Sequence, residues 1–395
     1  MATIVWTGGA GDRNWNNAAN WSIGGNPAGR IPLVGDVVDI GAAATGPDSI
    51  LVNNATSASI PATTLNNQGQ IAVNSTTNLT DLIWNGSTTL QGGGQVILSD
   101  AANNRVFSFT AGSVLTNVDN TISGAGTVFQ NSGLSIVNQA AGVIDATGAN
   151  ALILQSINIT NDGVMQGSGT GGLRLGSGAN IVGSGTIRAN DGSHVDLTNG
   201  TVIAGQTLVS TGSGRVQTTT SGATLDSRTS QVHVAAGSTL HVNNATNLTL
   251  RGTLDNAGTL SLESSGNLTD LLIDGDVALT GGGKLSLSDN ASNRIFTNAA
   301  GSTLTNVDNT IEGAGQIFRN SGLTFINGAN GVVDANRAAN ALQFLNINVT
   351  NDGVMQGSGA GGLLLGNSAI ISGTGTLRAN DGSHVDLIGG TVISG

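Results

Sequence analysis

The sequence predicts an all-β chain, an elongated parallel β-solenoid of the right-handed β-helix kind with an atypical N-terminal cap. Three observations predict it. The chain repeats itself with a period of nearly half its length, it is built from short apolar–polar alternations broken by turn residues, and it is rich in glycine (61 of 395 residues) but only 3% aromatic.

The repeat sets the organisation. Thr64–Leu82, TLNNQGQIAVNSTTNLTDL, returns as Thr253–Leu271, TLDNAGTLSLESSGNLTDL. LTNVDNTISGAG at Leu115–Gly126 returns as LTNVDNTIEGAG at Leu304–Gly315, and RANDGSHVDL begins at Arg188 and again at Arg378. The offset grows by one between the early and the late matches, because DATGAN from Asp145 faces DANRAAN from Asp334 with a single insertion. A fixed period of this kind marks stacked repeat units, each burying its apolar face against the next. The expected division is a capping segment over 1–45, a first solenoid unit over 46–229 and a second, truncated unit over 230–395. That truncation reads as a piece of a longer array.

Within each unit, Leu173-Arg174-Leu175, Leu240-His241-Val242 and Leu285-Ser286-Leu287 alternate with the two-residue period of a strand. Clusters such as Asn131-Ser132-Gly133 and Asn161-Asp162-Gly163 separate them, supplying residues that tolerate positive φ or bond their own backbone. No amphipathic stretch at helical spacing runs beyond a turn or two. A narrow core made of such strands admits Val, Ile, Leu and Ala and disfavours Trp. Asn side chains can bond up and down the stacked corners, whereas stacked like charges repel. At roughly 20 residues per turn and about 4.8 Å per turn, the chain would make about 20 turns and a rod on the order of 90 Å. An antiparallel sandwich or barrel array is the competing architecture, but its hairpin signals are scarce.

The first segment differs from the rest. All four prolines (Pro27, Pro32, Pro47, Pro61) and three of four tryptophans (Trp6, Trp15, Trp21) fall no later than Pro61. A solenoid end exposes unpaired strand edges, and tryptophans over the core with prolines at the edge would close it. The other reading of Trp6, Trp15 and Trp21 is an aromatic platform for sugar.

Composition excludes several classes. A net charge of −11 with a single lysine, Lys284, speaks against nucleic acid as a partner. The absence of cysteine removes disulfides, thiolate metal sites and thiol nucleophiles. No apolar run approaches the roughly 18 residues of a spanning helix, so no membrane insertion is expected. The opening stretch lacks the basic and apolar regions of a signal peptide. A fragment of a secreted protein, or export through a C-terminal signal as in type I secretion, is the expectation.

WTGGAGDRNWNNAANWSIGG followed by IPLVGDVVDI resembles the opening of many bacterial β-solenoid surface proteins, autotransporter passengers among them. LTNVDNTISGAG, FQNSGLSIVNQAAGVIDATG and ITNDGVMQGSG resemble the strand repeats of very large secreted proteins similar to filamentous-haemagglutinin-type adhesins. The resemblance implies an extracellular or cell-surface rod that acts as an adhesin, a biofilm component or a matrix component. Its expected partners are carbohydrate or cell-surface ligands met by weak multivalent contact, with self-association into filaments or layers as a further expectation.

Parallel β-helices also carry polysaccharide lyases and hydrolases, which need carboxylates at a set separation or a base beside metal-held uronates. Glu263 and Glu312 are the only glutamates, and Asp274-Gly275-Asp276 becomes Asn85-Gly86-Ser87 in the first copy, so no acid pair belongs to the repeat. Ser193-His194-Val195-Asp196 and Ser383-His384-Val385-Asp386 hold triad residue types. On one strand, however, Ser193 lies on the face opposite His194 and Asp196. The chain is therefore expected to be no enzyme, with no catalytic residue. Carboxylate–arginine groupings around Asp100 and Arg105, Asp289 and Arg294, Arg188 and Asp191, and Arg378 and Asp381 read as solvated ion pairs. No cofactor is expected. Calcium is the one metal candidate, through Asp191 with Asp196 and Asp381 with Asp386 around Gly turns, although Asx turns satisfying their own backbone explain the same residues.

Overall fold

A computed structural model describes residues 2–395. Strand accounts for 51% of the chain and helix for 2%, in a parallel β-solenoid of about 16 turns. The count falls short of the expected one because a turn uses more chain than assumed. Ile50, Ile71, Val96, Ile122, Ile144, Met165 and Ile187 are successive partners in register. The step is shortest from Ile50 to Ile71 and from Ile144 to Met165, and longest from Val96 to Ile122.

The chain forms two compact units, one running through Asp196 with Thr211–Gly214 and the other comprising Leu197–Ser210 with Arg215–Gly395. In the first unit a representative turn has three strands, Thr64–Asn67, Gln70–Asn74 and Thr80–Asn85. Each pairs in parallel with the corresponding strand one turn on, at Thr88–Gln91, Gln95–Leu98 and Asn104–Phe107. The alternation read from sequence is the burial pattern. Ile71 and Val73 point inward, while Ala72 and Asn74 stay half-exposed. Burying one such aliphatic side chain contributes about 1.5–3 kcal/mol. In the second unit Leu248, Leu271, Ile295, Ile317, Phe344 and Leu365 continue the same kind of inward column. Trp84 departs from expectation: it lies inside the coil at 1% exposure among Leu82, Val96 and Val106. The core there is wide enough for an indole, where the second copy has Ile273.

Corners are held by backbone and by glycine. The N–H groups of Gln70, Gln95 and Thr121 donate in turn to the carbonyls of Ala44, Gly69 and Gly94, so the ladder continues round the bend. A Cβ on Gly69 would stand 2.6 Å from Ala44 O, and one on Gly94 2.5 Å from Asn67 O. Closeness of stacked backbone, rather than backbone angle, therefore selects glycine at these two corners.

Inside the corners runs an asparagine ladder. Asn117 Nδ2 donates to Asn138 Oδ1 (2.8 Å), and Asn138 Nδ2 donates to Asn161 Oδ1 (2.8 Å). The second unit repeats this through Asn306, Asn327 and Asn351, at 2.9 Å per step. All six side chains are buried, so each carboxamide meets its donor or acceptor need from the turn above or below.

The N-terminal segment turns parallel stacking into an antiparallel edge. Strand β1 (Thr3–Trp6) pairs in parallel with β4 (Val37–Ile40) but antiparallel with β2 (Trp21–Ile23), which pairs antiparallel with β3 (Asn26–Pro27). Trp6, Trp15 and Trp21 are at most 6% exposed. They pack edge to face, with Trp21 4.8 Å from Trp15 and 5.0 Å from Trp6 between ring centres.

Candidate functional site

Built from the residues upward, the polar surface is a set of contacts between successive turns. Sequence neighbours contribute less. Arg105 does not pair with Asp100. Its Nε and Nη2 donate to both oxygens of Asp81, one turn earlier, at 2.7 and 2.6 Å. Arg294 does the same to Asp270 at 2.7 Å on both arms, leaving Asp289 aside. Arg378 likewise reaches back a turn, donating to Gln356 Oε1 at 2.9 and 2.7 Å rather than to Asp381. The groupings expected around Asp100, Asp289 and Asp381 are thus corrected. Neighbours along the coil stand about a turn apart in sequence, and near positions in sequence lie round a corner. The guanidinium groups of Arg105 and Arg294 also lie over phenylalanines, Phe107 at 5.4 Å and Phe296 at 4.9 Å. The rings stack on Phe129 and Phe318, with centres 5.0 and 5.1 Å apart.

The freed carboxylates hold the chain two turns on. Asp100 Oδ1 accepts from Asn150 N (2.7 Å), and Asp289 Oδ1 accepts from Asn340 N (2.9 Å). A shorter form of this contact recurs at the Asx corners. Asp162 accepts from Ser184 N and Oγ, Asp191 from Ser213 N (2.7 Å) and Oγ (2.8 Å), and Asp352 from Thr374 N and Oγ1, each one turn ahead. The sequence points to Asp162 and Asp191 as groups bonding their own turn, whereas their donors Ser184 and Ser213 lie one turn ahead. The signal was available as a Ser or Thr one turn after each Asx-Gly corner.

These contacts place the calcium candidates. Asp191 is exposed, and the amide and hydroxyl of Ser213 hold its carboxyl below the usual carboxylate range. Asp196 is buried and takes His194 Nδ1 at 3.0 Å, with Arg174 Nε at 3.9 Å. Asp381 and Asp386 are exposed, and Asp386 meets His384 Nε2 at 3.5 Å. Among the described residues no three His, Asp or Glu side chains converge where a metal ion could sit. Ser193 points away from His194 and donates to Gly169 O at 2.6 Å, and Ser383 donates to Gly359 O at 2.6 Å.

The two glutamates lie on the second unit. Glu263 takes Arg215 Nη2 at 2.7 Å and His241 Nδ1 at 2.5 Å. Burial pushes its carboxyl up, but these two bonds outweigh that and hold it at about 2. Glu312 sits against Lys284 at 3.3 Å. Asp274 pairs with Arg251 at 2.6 Å, at an irregularity where Leu250 pairs with Ile273 and Gly252 with Val277. Each of these carboxylates serves an ion pair.

In the N-terminal segment, two aspartates of the opening motif hold the chain together. Asp12 accepts from Asn17 and Asn20 Nδ2, both at 2.6 Å. Asp36, nearly buried, takes Arg30 Nη1 at 2.5 Å and the backbone N–H of Leu33 at 3.0 Å, and the arginine holds its carboxyl down at about 2. Trp6, Trp15 and Trp21 offer no exposed ring face, since their planes meet one another. Comparison with protein-family models, curated proteins and solved structures found no match to this chain. Among the described residues no helix is long and apolar enough to cross a membrane.

Proposed function

We propose that this chain is a structural and adhesive rod or spacer of a secreted bacterial surface protein. The observation that carries the reading is the turn-to-turn register. Within each unit, parallel backbone ladders and an aliphatic interior couple successive turns, and buried asparagine ladders add to them at some corners, a construction that lengthens by repetition. The resemblance of WTGGAGDRNWNNAANW and IPLVGDVVDI to the openings of β-solenoid surface proteins supports the extracellular part of the reading. An exterior of Ser, Thr and Asn with 9% charged residues suits weak, repeated contact with carbohydrate.

The test is incubation of the purified chain with acidic and neutral polysaccharides and with bacterial cells, scoring retention and product release together. Retention that rises with ligand density, with the polymers left intact, is expected. Release of reducing ends or unsaturated products would overturn the reading in favour of a degrading enzyme.

A further inference from the structure

The sequence period and the coil can be compared inside the second unit, because the tripeptide Thr-Val-Ile occurs there twice, at Thr201–Ile203 and one full period later at Thr391–Ile393. Each turn has three faces. From Thr201–Ile203 the parallel ladder passes through Ala223–Ser227, Asn247–Asn256, Thr269–Thr280, Asn293–Phe296, Gly315–Phe318, Leu342–Leu345 and Leu363–Gly366, and reaches Val385–Leu387 after eight steps. The second Thr-Val-Ile is not on that column. Val392–Ile393 pairs with Ile370–Ser372, whose column descends through Asn348–Asn351 and Thr324–Asn327 to His233–Val234 and Thr207–Ser210. Identical residues therefore occupy neighbouring faces.

We infer that one sequence period equals eight turns plus one face, so that a side chain repeated by the period re-emerges on the adjacent face of the coil. The mismatch follows from three-strand turns of unequal length. Asn247–Asn256 and Thr269–Thr280 each run through a corner as one continuous strand and cover two faces. Duplicating such a period re-aims the surface it carries as well as lengthening the chain. Under the adhesive reading above, on which only this last step rests, the fitting partner is one met from several directions, a hydrated polymer network rather than a single flat face.

The chain has no cysteine, so paired cysteines report the faces directly. Register partners on adjacent parallel strands have Cα atoms about 4.8 Å apart, within reach of a disulfide or a short thiol crosslinker. Val202→Cys with Thr224→Cys is the positive control, since these residues are partners on the first column. Ile370→Cys with Val392→Cys is expected to crosslink as efficiently as that control. Leu364→Cys with Val392→Cys, the pair that a whole number of turns would bring together, is expected to stay at least tenfold less crosslinked. Crosslinking through Leu364, or of neither Val392 pair while the control forms, overturns the inference. Ligand binding plays no part in this readout, so its failure is separate from failure of the adhesive reading.

Discussion

An inward residue within a column, such as Ile122, has one partner above and one below, so a single substitution is felt by two neighbouring turns. Ile122 lies between Val96 and Ile144 at 6% exposure. Ile122→Asp buries an unpaired charge and is expected to cost about 3 kcal/mol or more, measured by thermal or denaturant unfolding. The neighbouring outward change Thr121→Asp is expected to stay within about 0.5 kcal/mol. Equal losses in the two variants would contradict the inward assignment of Ile122. Residue-scale electrostatics make a second prediction. The bond from Asp196 raises His194 above the ordinary imidazole range, against the opposing pull of burial. A raised folded-state value means that the pair stabilises fully below about pH 6.5 and that this contribution fades as pH rises through the folded value. Melting temperature is therefore expected to fall on raising the pH from about 6 to about 8 more steeply in the parent than in His194→Gln. Parallel slopes would remove His194 from the account.

At the scale of strands and corners, the asparagine ladders carry the largest concentration of buried polarity. Asn327→Leu leaves the amide of Asn306 with only its other acceptors and deprives Asn351 Oδ1 of its donor. A loss of about 1–3 kcal/mol is expected, with hydrogen exchange quickening in the turns that hold Asn306 and Asn351. Neutral behaviour would make the ladder a bystander. The ladders also show what a sequence conceals at this scale. That asparagine stacks at corners was legible from repeated Asn-containing turns. That Asn67 and Asn256 begin the buried asparagine runs, each donating to an asparagine two turns on, was not. It depends on Ile40 and Val234 lying one turn below them. Arg105 illustrates the same limit. Its partner Asp81 is identified only by the length of the intervening turn, and turn length varies along the column through Ile122.

For the molecule as a whole, the solenoid class and the repeat could be read directly, since alternation at Leu173–Leu175 and recurrence of LTNVDNTI follow from local pattern. The number of turns was overestimated because corner loops such as 75–79 and 147–151 lengthen the turns without adding strands. The candidate site was legible only as residue types, because the polar contacts that define the surface mostly join residues one or two turns apart. Parallel stacking in register is the claim on which the remainder depends. Asn247, Asp270, Arg294, Gln316, Gln343, Leu364 and Asp386 form one column in the second unit, each one turn beyond the last. The most direct test is the distance between spin labels on cysteine at Asn247 and, in separate samples, at Gln343, Leu364 and Asp386. The separation is expected to grow by about 4.8 Å for each added turn, from about 19 Å at four turns to about 29 Å at six. Separations that alternate or fail to grow as turns are added would contradict a parallel solenoid.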